Sequence, residues 1–148
     1  VYRDERVTVS SVENTHYPDA SKRRTPHRSL SYRFDCRDRS IVFSGDTAYS
    51  AGLVKLAHDA DVFVCETIEV ASMRRAFERM VAGGAYADNP EGVWDHIVTT
   101  HTSTKEAGRM AADAGVKMLV LSHLIPGALQ NIGDADCLKM VLDWSANA

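Results

Sequence analysis

Three side chains that can bind metal ions each come at the end of a predicted strand. Asp46 lies on a tight glycine turn after an apolar strand, His16 follows an earlier strand-like segment, and His123 closes a later apolar run. Imidazole nitrogens and carboxylate oxygens are ligands that zinc takes in proteins. Because each residue ends a different strand, we expect the three to meet at one edge of a sheet. That layout predicts a metal site assembled by the fold.

Each of these residues also has a purely structural interpretation. Asp46 fits a turn or helix N-cap aspartate, and His123 fits a hydrogen-bonded histidine at a strand end. His27 lies in the same loop as His16 and competes for its role. The three residues together favour metal binding more strongly than any one of them does.

A second group of polar residues can support such a site. His101 lies just before a predicted helix N-terminus, where helix amides and an imidazolium favour a phosphate or an oxyanion. The alternative there is a polar capping segment. Glu66 follows a buried strand, and it either orients a ligand histidine or is a surface carboxylate. His58 and His96 lie on predicted helices and are expected to be solvated.

Alternating strand and helix patterns predict the elements that position these residues. The predicted strands are 7–12, 30–36, 40–43, 61–65 and 117–122, and the predicted helices are 49–59, 70–81, 90–97, 103 or 104 to 114, and 134–144. Period-two alternation in 30–36, followed by a turn, predicts an antiparallel hairpin with 40–43. The apolar run 117–122 is typical of a strand covered by helices. This order of elements predicts an α/β fold.

Length and composition restrict the class of protein to which the chain can belong. The chain has 148 residues, 45% of them hydrophobic, and a formal net charge of -3, which disfavours general affinity for nucleic acid. No apolar run approaches the roughly 18 residues that span a bilayer, and no signal peptide is evident, so no membrane association is expected. Three widely spaced cysteines, with Cys65 inside an apolar strand, favour a reducing cytoplasm.

Four ordered motifs closely resemble the metallo-β-lactamase superfamily, and within it the branch of ribonuclease Z and the arylsulfatase-like hydrolases. The motifs are Val42–Thr47, Ala60–Thr67, His101–Thr104 and Leu119–His123. The resemblance covers roughly residues 7 to 125. It implies a four-layer αββα sandwich with a dinuclear metal site, usually zinc, at the edges of the sheets.

The resemblance also implies roles for individual residues. Asp46 matches the bridging aspartate, His123 the histidine of the second metal and His16 a histidine of the first metal. His101 matches the histidine that stabilises the phosphate in the transition state, and Glu66 and Thr47 support these groups. The implied reaction is the attack of a metal-bridging hydroxide on a phosphodiester, sulfate ester, lactone or lactam.

The main departure from the family pattern is the absence of the His-x-His-x-Asp-His cluster, which supplies four of the usual seven ligands. Residues 1–148 are therefore expected to form a single partial domain, the C-terminal half of the sandwich. The start of the sequence without Met agrees with a chain that begins in mid-protein. Alone, the chain is expected to bind zinc weakly, to be inactive, and to expose a sheet face that the missing N-terminal half or a second copy in a homo-oligomer covers.

Two other functions remain open. One is a metal-free scaffold or binding module with the same fold, which the missing ligand cluster favours. The other is nucleic-acid processing through the basic residues Lys22, Arg23, Arg24 and Arg28. The alternative interpretation of these four residues is that they belong to a solvated loop. The substrate, whether a small molecule or a phosphodiester, is not set by the fold.

Overall fold

A computed structural model describes residues 2–17 and 27–125. The predicted helix 134–144, Cys137 and three of the basic loop residues, Lys22, Arg23 and Arg24, lie outside the described residues. The strands are β1 (Tyr2–Arg3), β2 (Val7–Glu13), β3 (Leu30–Cys36), β4 (Ser40–Phe43), β5 (Val62–Ile68) and β6 (Leu119–Ile125). The helices are α1 (Ala51–Leu56), α2 (Val70–Ala82), α3 (Pro90–Thr100) and α4 (Thr104–Ala114).

The strands form one mixed sheet in the order β1-β2-β3-β4-β5-β6. Neighbours are antiparallel from β1 to β4, and β4, β5 and β6 are parallel. Because β2 and β4 are both antiparallel to β3, β2 runs in the same direction as β4, β5 and β6. The carboxyl ends of these four strands therefore lie along one edge, called the site edge below. The predicted hairpin and the predicted α/β fold are confirmed.

Helices α1 and α4 pack together over one face of the sheet. The core between them and the sheet contains Val42, Leu53, Phe63, Cys65 and Met110, all at 0% exposure. Burial raises the pKa of the Cys65 thiol to about 12, which keeps it protonated. The core explains why β4 and β5 are largely apolar.

The opposite face of the sheet carries exposed apolar side chains in the described part of the chain. Tyr32 pairs with Phe43, Phe43 with Val64, and Val64 with Val120, so these residues share one face. Tyr32, Phe43 and Val120 are 39%, 44% and 39% exposed. An uncovered apolar sheet face of this kind is the feature expected for half of a sandwich.

Several element boundaries differ from the sequence-based prediction. β5 runs to Ile68 rather than ending at residue 65, because it goes on pairing with β6, and β6 itself runs to Ile125. Helix α1 is shorter than predicted at both ends, since Ser50 is its N-cap and Ala57 its C-cap. Helix α3 is longer and reaches Thr100. The longer β5 and α3 both bring polar residues to the site edge.

Asp61 joins the starts of three parallel strands at the edge opposite the site. Its carboxylate accepts hydrogen bonds from the Ser40 backbone N–H at 2.7 Å and from the Lys117 ammonium at 2.6 Å. The hydrogen bond from Lys117, followed by those from Ser40, lowers the pKa of Asp61 from 3.8 to about 2. Ionised Asp61 is therefore favoured in the folded protein.

Replacement of Asp61 by asparagine is expected to lower the melting temperature at pH 7. Because the folded pKa lies below the unfolded one, the contribution of Asp61 is present above pH 3.8 and is lost as the pH falls toward about 2. Thermal melts at several pH values measure the difference between wild type and variant, which is expected to shrink over that range. Asp38→Asn, at an exposed position whose carboxylate pairs with the neighbouring Arg39, is the control. A difference that does not change with pH contradicts the prediction.

Candidate metal centre at one edge of the sheet

The site edge brings together the polar residues predicted from the sequence. Asp46 follows β4, Glu66 lies near the end of β5, and His123 lies in β6. His16 follows β2, and His101 is the C-cap of α3, two residues before the N-cap of α4 described below. Residues that are up to 107 positions apart in the sequence, His16 and His123, thereby become parts of one cluster.

Asp46 lies close to both His16 and His123. The ligand atoms of His16, Asp46 and His101 lie within 4.8 Å of one another, as do those of Glu66, His101 and His123. The His123 Nδ1 atom is 3.9 Å from the Asp46 Oδ1 atom. No such group among the described residues contains both His16 and His123. Asp46 is therefore near one histidine of each candidate group.

His101 lies at the centre of the cluster. Its ring centroid is 5.0 Å from that of His16 and 5.9 Å from that of His123, to which it is nearly parallel. It is the residue shared by both candidate groups, although the sequence analysis predicted that it contacts an anion. The geometry is therefore compatible with two roles for His101, as a metal ligand or as a residue that contacts the substrate.

Glu66 is buried beneath His101. It is 2% exposed, which excludes a surface carboxylate. Its Oε1 atom accepts hydrogen bonds from the backbone N–H groups of Thr47 and Thr102, at 2.9 and 3.1 Å, and lies 3.1 Å from the His101 Nδ1 atom. Glu66 therefore fixes both the turn after β4 and the His101 ring. Its Oε2 atom is buried without a described hydrogen-bond partner.

The hydrogen bond from His101 to Glu66 also favours the protonated form of the imidazole. It raises the pKa of His101, with burial opposing the shift and the carboxylates of Glu66 and Asp46 adding to it. Because a carboxylate accepts hydrogen bonds, the Nδ1 atom carries a proton and the Nε2 atom is left for other partners. A protonated imidazole there can stabilise negative charge or donate a proton.

Thr47 is a supporting residue in this geometry. It is fully buried. Its N–H donates to Glu66, and its carbonyl oxygen accepts from the Thr102 hydroxyl at 2.6 Å. These contacts hold the Asp46 turn against the segment before α4.

His16 is held by backbone and side-chain groups that the sequence did not single out. Its Nδ1 atom is 3.1 Å from the Thr100 carbonyl, which accepts the hydrogen bond and leaves Nε2 available as a ligand atom. The His16 N–H donates to the Asn14 side chain, and the Asn14 amide donates to the Ser44 carbonyl at 2.9 Å. Asn14 thus ties the end of β2 to the end of β4. His27, the competing histidine, belongs to neither candidate group.

His123 occupies an irregular position in β6. Glu66 pairs with Ser122 and Ile68 with Ile125, so β6 spans three residue steps where β5 spans two. The extra residue forms a bulge, and His123 has a φ of 50°. Bulges redirect side chains and are over-represented next to active sites. The left-handed backbone here is an unfavourable conformation for a non-glycine residue.

The N-terminus of α4 is occupied by its own capping groups. The Ser103 hydroxyl accepts from the Glu106 N–H, and the Glu106 carboxylate accepts from the Ser103 N–H at 3.0 Å. This capping box agrees with the polar capping alternative for the segment. Because these capping groups already occupy the helix N-terminus, the His101 imidazole is the group in this segment that can bind an anion.

His96 was expected to be solvated, and it is exposed. However, its ring centroid lies 5.9 Å from that of His16, so it borders the cluster. Burial, followed by the nearby His16 and His101, lowers the pKa of His96. The helical pattern of the sequence did not indicate that His96 lies near His16. His58, in contrast, pairs with Asp59 on the surface, as expected for a solvated residue.

The turn that presents Asp46 requires glycine at position 45. Gly45 has a φ of 62°, and an added Cβ atom would lie 2.9 Å from the Leu30 carbonyl oxygen. We expect Gly45→Ala to lower the free energy of unfolding by about 2–3 kcal/mol, because backbone strain adds to the steric clash. Urea denaturation measures the loss. Gly84→Ala is the control, since Gly84 also has a positive φ but open space around it; equal losses contradict the prediction.

Comparison with known proteins identifies the class to which the chain belongs. Residues 2–124 match the family model described as the beta-lactamase superfamily domain. The chain belongs to this superfamily, as the resemblance predicted. None of the helices in the described part of the chain has the length and apolarity to cross a membrane.

Two relatives and one solved structure show how similar the chain is to individual proteins. An uncharacterized protein of Mycobacterium leprae is 35% identical over 103 residues, which are 68% of this chain and 29% of the relative. Ribonuclease Z of Myxococcus xanthus is 37% identical over 87 residues, covering 58% of this chain and 22% of the enzyme. The metallo-beta-lactamase fold protein YhfI of Bacillus subtilis has a similar structure, with a TM-score of 0.55, 21% identity, and coverage of 83% of this chain and 38% of YhfI.

These matches confirm the resemblance to the metallo-β-lactamase superfamily, with ribonuclease Z among the relatives, and the α/β fold of that family. They place the chain in a family of hydrolases. The chain spans less than a third of the length of the first curated relatives it matches.

Proposed function

We propose that this chain forms one part of a metal-dependent hydrolase centre, with His16, Asp46 and His123 as metal ligands. The observation that carries the proposal is the position of Asp46 between two histidines that belong to separate ligand groups. His16 would hold one ion and His123 a second ion, and Asp46 would be shared between the two.

The donor set fits zinc. Imidazole nitrogens and a carboxylate oxygen are typical zinc ligands, and the hydrogen bond from His16 to Thr100 is the kind of outer contact that fixes a ligand histidine. Each zinc ion takes about four ligands, whereas this chain offers three for two positions. The chain by itself is therefore proposed to bind zinc weakly and to be inactive.

The remaining ligands are proposed to come from a His-x-His-x-Asp-His segment that the sequence of this chain lacks. Residues 1–148 then act as one partial domain, and the exposed face that contains Tyr32, Phe43 and Val120 is covered by the part that carries this segment or by a second copy. A reducing, cytoplasmic setting suits the two described cysteines, Cys36 and Cys65, which are free.

When bound by these residues, zinc would supply Lewis-acid chemistry and would lower the pKa of water toward 7, so that hydroxide would be available as a nucleophile. His101, held by Glu66, is proposed to stabilise the negative charge that develops on the substrate. Its protonated ring can also deliver a proton to the leaving group. Glu66 and Thr47 keep the imidazole and the Asp46 turn in place.

The proposed substrate is a phosphodiester, with sulfate esters, lactones and lactams as the other members of the class. Similarity to ribonuclease Z of Myxococcus xanthus supports the phosphodiester. The alternative function is a metal-free scaffold or binding module. The observation that favours it is the small number of ligands, three for two metal positions.

The proposal is tested with the chain extended N-terminally through the preceding coding sequence, called the extended protein below. We expect the zinc-loaded extended protein to hydrolyse bis(4-nitrophenyl) phosphate, to lose this activity after removal of zinc with a chelator, and to regain it when zinc is restored. A panel with a sulfate ester, a lactone and a β-lactam ranks the substrate class. Activity that survives complete removal of metal, or no hydrolysis of any substrate in the panel, contradicts the proposal.

A further inference from the structure

His96 is a chemically active residue beside the centre that no ligand role accounts for. It lies on α3, four residues before Thr100, so the two residues share a face of the helix. The Thr100 carbonyl accepts the hydrogen bond from His16. This hydrogen bond attaches the last turn of α3 to a proposed metal ligand, His16. It thereby fixes the position of His96 beside His16.

The geometry separates His96 from the ligands. Its ring centroid is 5.9 Å from that of His16, and it belongs to neither group of ligand atoms within 4.8 Å. Its ring nitrogens have no hydrogen-bond partner among the described residues, and the residue is exposed. His96 is therefore close enough to reach a molecule bound at the centre and free to form a new hydrogen bond with it.

The surroundings of His96 favour an anionic partner. His16, His96 and His101 form a continuous group of three imidazoles at the site edge. Neutral and protonated imidazoles both donate hydrogen bonds, and hydrogen bonds to charged oxygens are stronger than those to neutral ones. A substrate that keeps a negative charge during hydrolysis gains from the third imidazole, whereas a neutral lactone or lactam gains little.

We propose that His96 is a substrate-binding residue that donates a hydrogen bond to an outer oxygen of an anionic ester, and that it makes the centre prefer phosphodiesters over neutral esters. This inference rests on the proposed hydrolase function. It adds α3, an element without a ligand residue in its interior, to the part of the protein that selects the substrate.

The experiment compares His96→Ala with wild type in the zinc-loaded extended protein. With bis(4-nitrophenyl) phosphate we expect KM to rise about tenfold, the factor expected for one hydrogen bond to a charged group, with kcat nearly unchanged. With the neutral ester 4-nitrophenyl butyrate we expect no change in KM. Calorimetric titration with inorganic phosphate, which does not depend on turnover, is expected to show a similar loss of affinity.

Two further variants make the result specific. His96→Gln keeps a side-chain N–H donor and is expected to recover part of the lost affinity. His58→Ala removes an exposed histidine that pairs with Asp59 and lies in neither ligand group, and it is expected to behave as wild type. Equal effects of His96→Ala on both esters, or no effect on the phosphodiester, overturn this inference and leave the hydrolase proposal standing. A wild-type protein that hydrolyses another substrate of the panel but not the phosphodiester overturns this inference alone, and one that hydrolyses no substrate of the panel overturns both.

Discussion

Replacement of Glu66 by alanine is expected to lower the free energy of unfolding by about 3–5 kcal/mol, the range for breaking a buried, hydrogen-bonded charged pair. Glu66 is 2% exposed. One of its oxygens accepts from two backbone N–H groups and from His101. Alanine leaves the buried N–H groups of Thr47 and Thr102 without an acceptor and opens a cavity at the site edge. Urea denaturation followed by circular dichroism measures the loss.

Two comparisons isolate the cause. Glu78→Ala removes an exposed carboxylate that pairs with Arg74 within α2 and is expected to change the free energy of unfolding by less than about 0.5 kcal/mol. Glu66→Gln keeps an oxygen acceptor and is expected to lose less than Glu66→Ala does. If Glu66→Ala is no more harmful than Glu78→Ala, Glu66 does not hold the site together as described.

Replacement of His101 by alanine is expected to lower kcat of the zinc-loaded extended protein by about 10²–10⁴-fold, the range for loss of a general acid or of a charge-stabilising donor. The prediction follows from the contact between His101 and Glu66, which orients the ring and raises its pKa. Steady-state kinetics with bis(4-nitrophenyl) phosphate give the effect. KM is expected to change much less than kcat, because the interaction strengthens in the transition state.

The zinc content of His101→Ala separates the two roles that the geometry offers this residue. If His101 acts on the substrate, the variant keeps its zinc and loses activity. Loss of zinc together with activity would show that His101 is a metal ligand, as its membership of both groups also permits. The control is His58→Ala, which is expected to keep both zinc and activity.

The fold and the convergence of the site residues could be predicted from the sequence, for a physical reason. Strands with alternating or continuous apolar residues are visible in one dimension, and so are the polar residues that follow them. Once the strands run in the same direction, Asp46, His16 and His123 must reach the same edge. The strand directions in the structure satisfy this condition.

The details that complete the site could not be predicted, because they depend on long-range contacts. The burial of Glu66 arises from the extension of β5 against β6, which local composition does not indicate. The orientation of His123 depends on a bulge in the pairing of the same two strands. Asn14 and His96 are placed by contacts with β4 and with His16, and neither belongs to a recognisable motif.

The zinc content of the protein shows whether Asp46 holds metal at the site edge. Elemental analysis is made on the extended protein, on its Asp46→Ala variant, and on Asp38→Ala, an exposed carboxylate outside the candidate groups, as the control. We expect about two zinc ions per extended protein, the same number in Asp38→Ala, and a clear loss in Asp46→Ala. An extended protein without zinc, or an Asp46→Ala variant that keeps its full zinc content, would rule out the proposed metal centre and favour a metal-free scaffold.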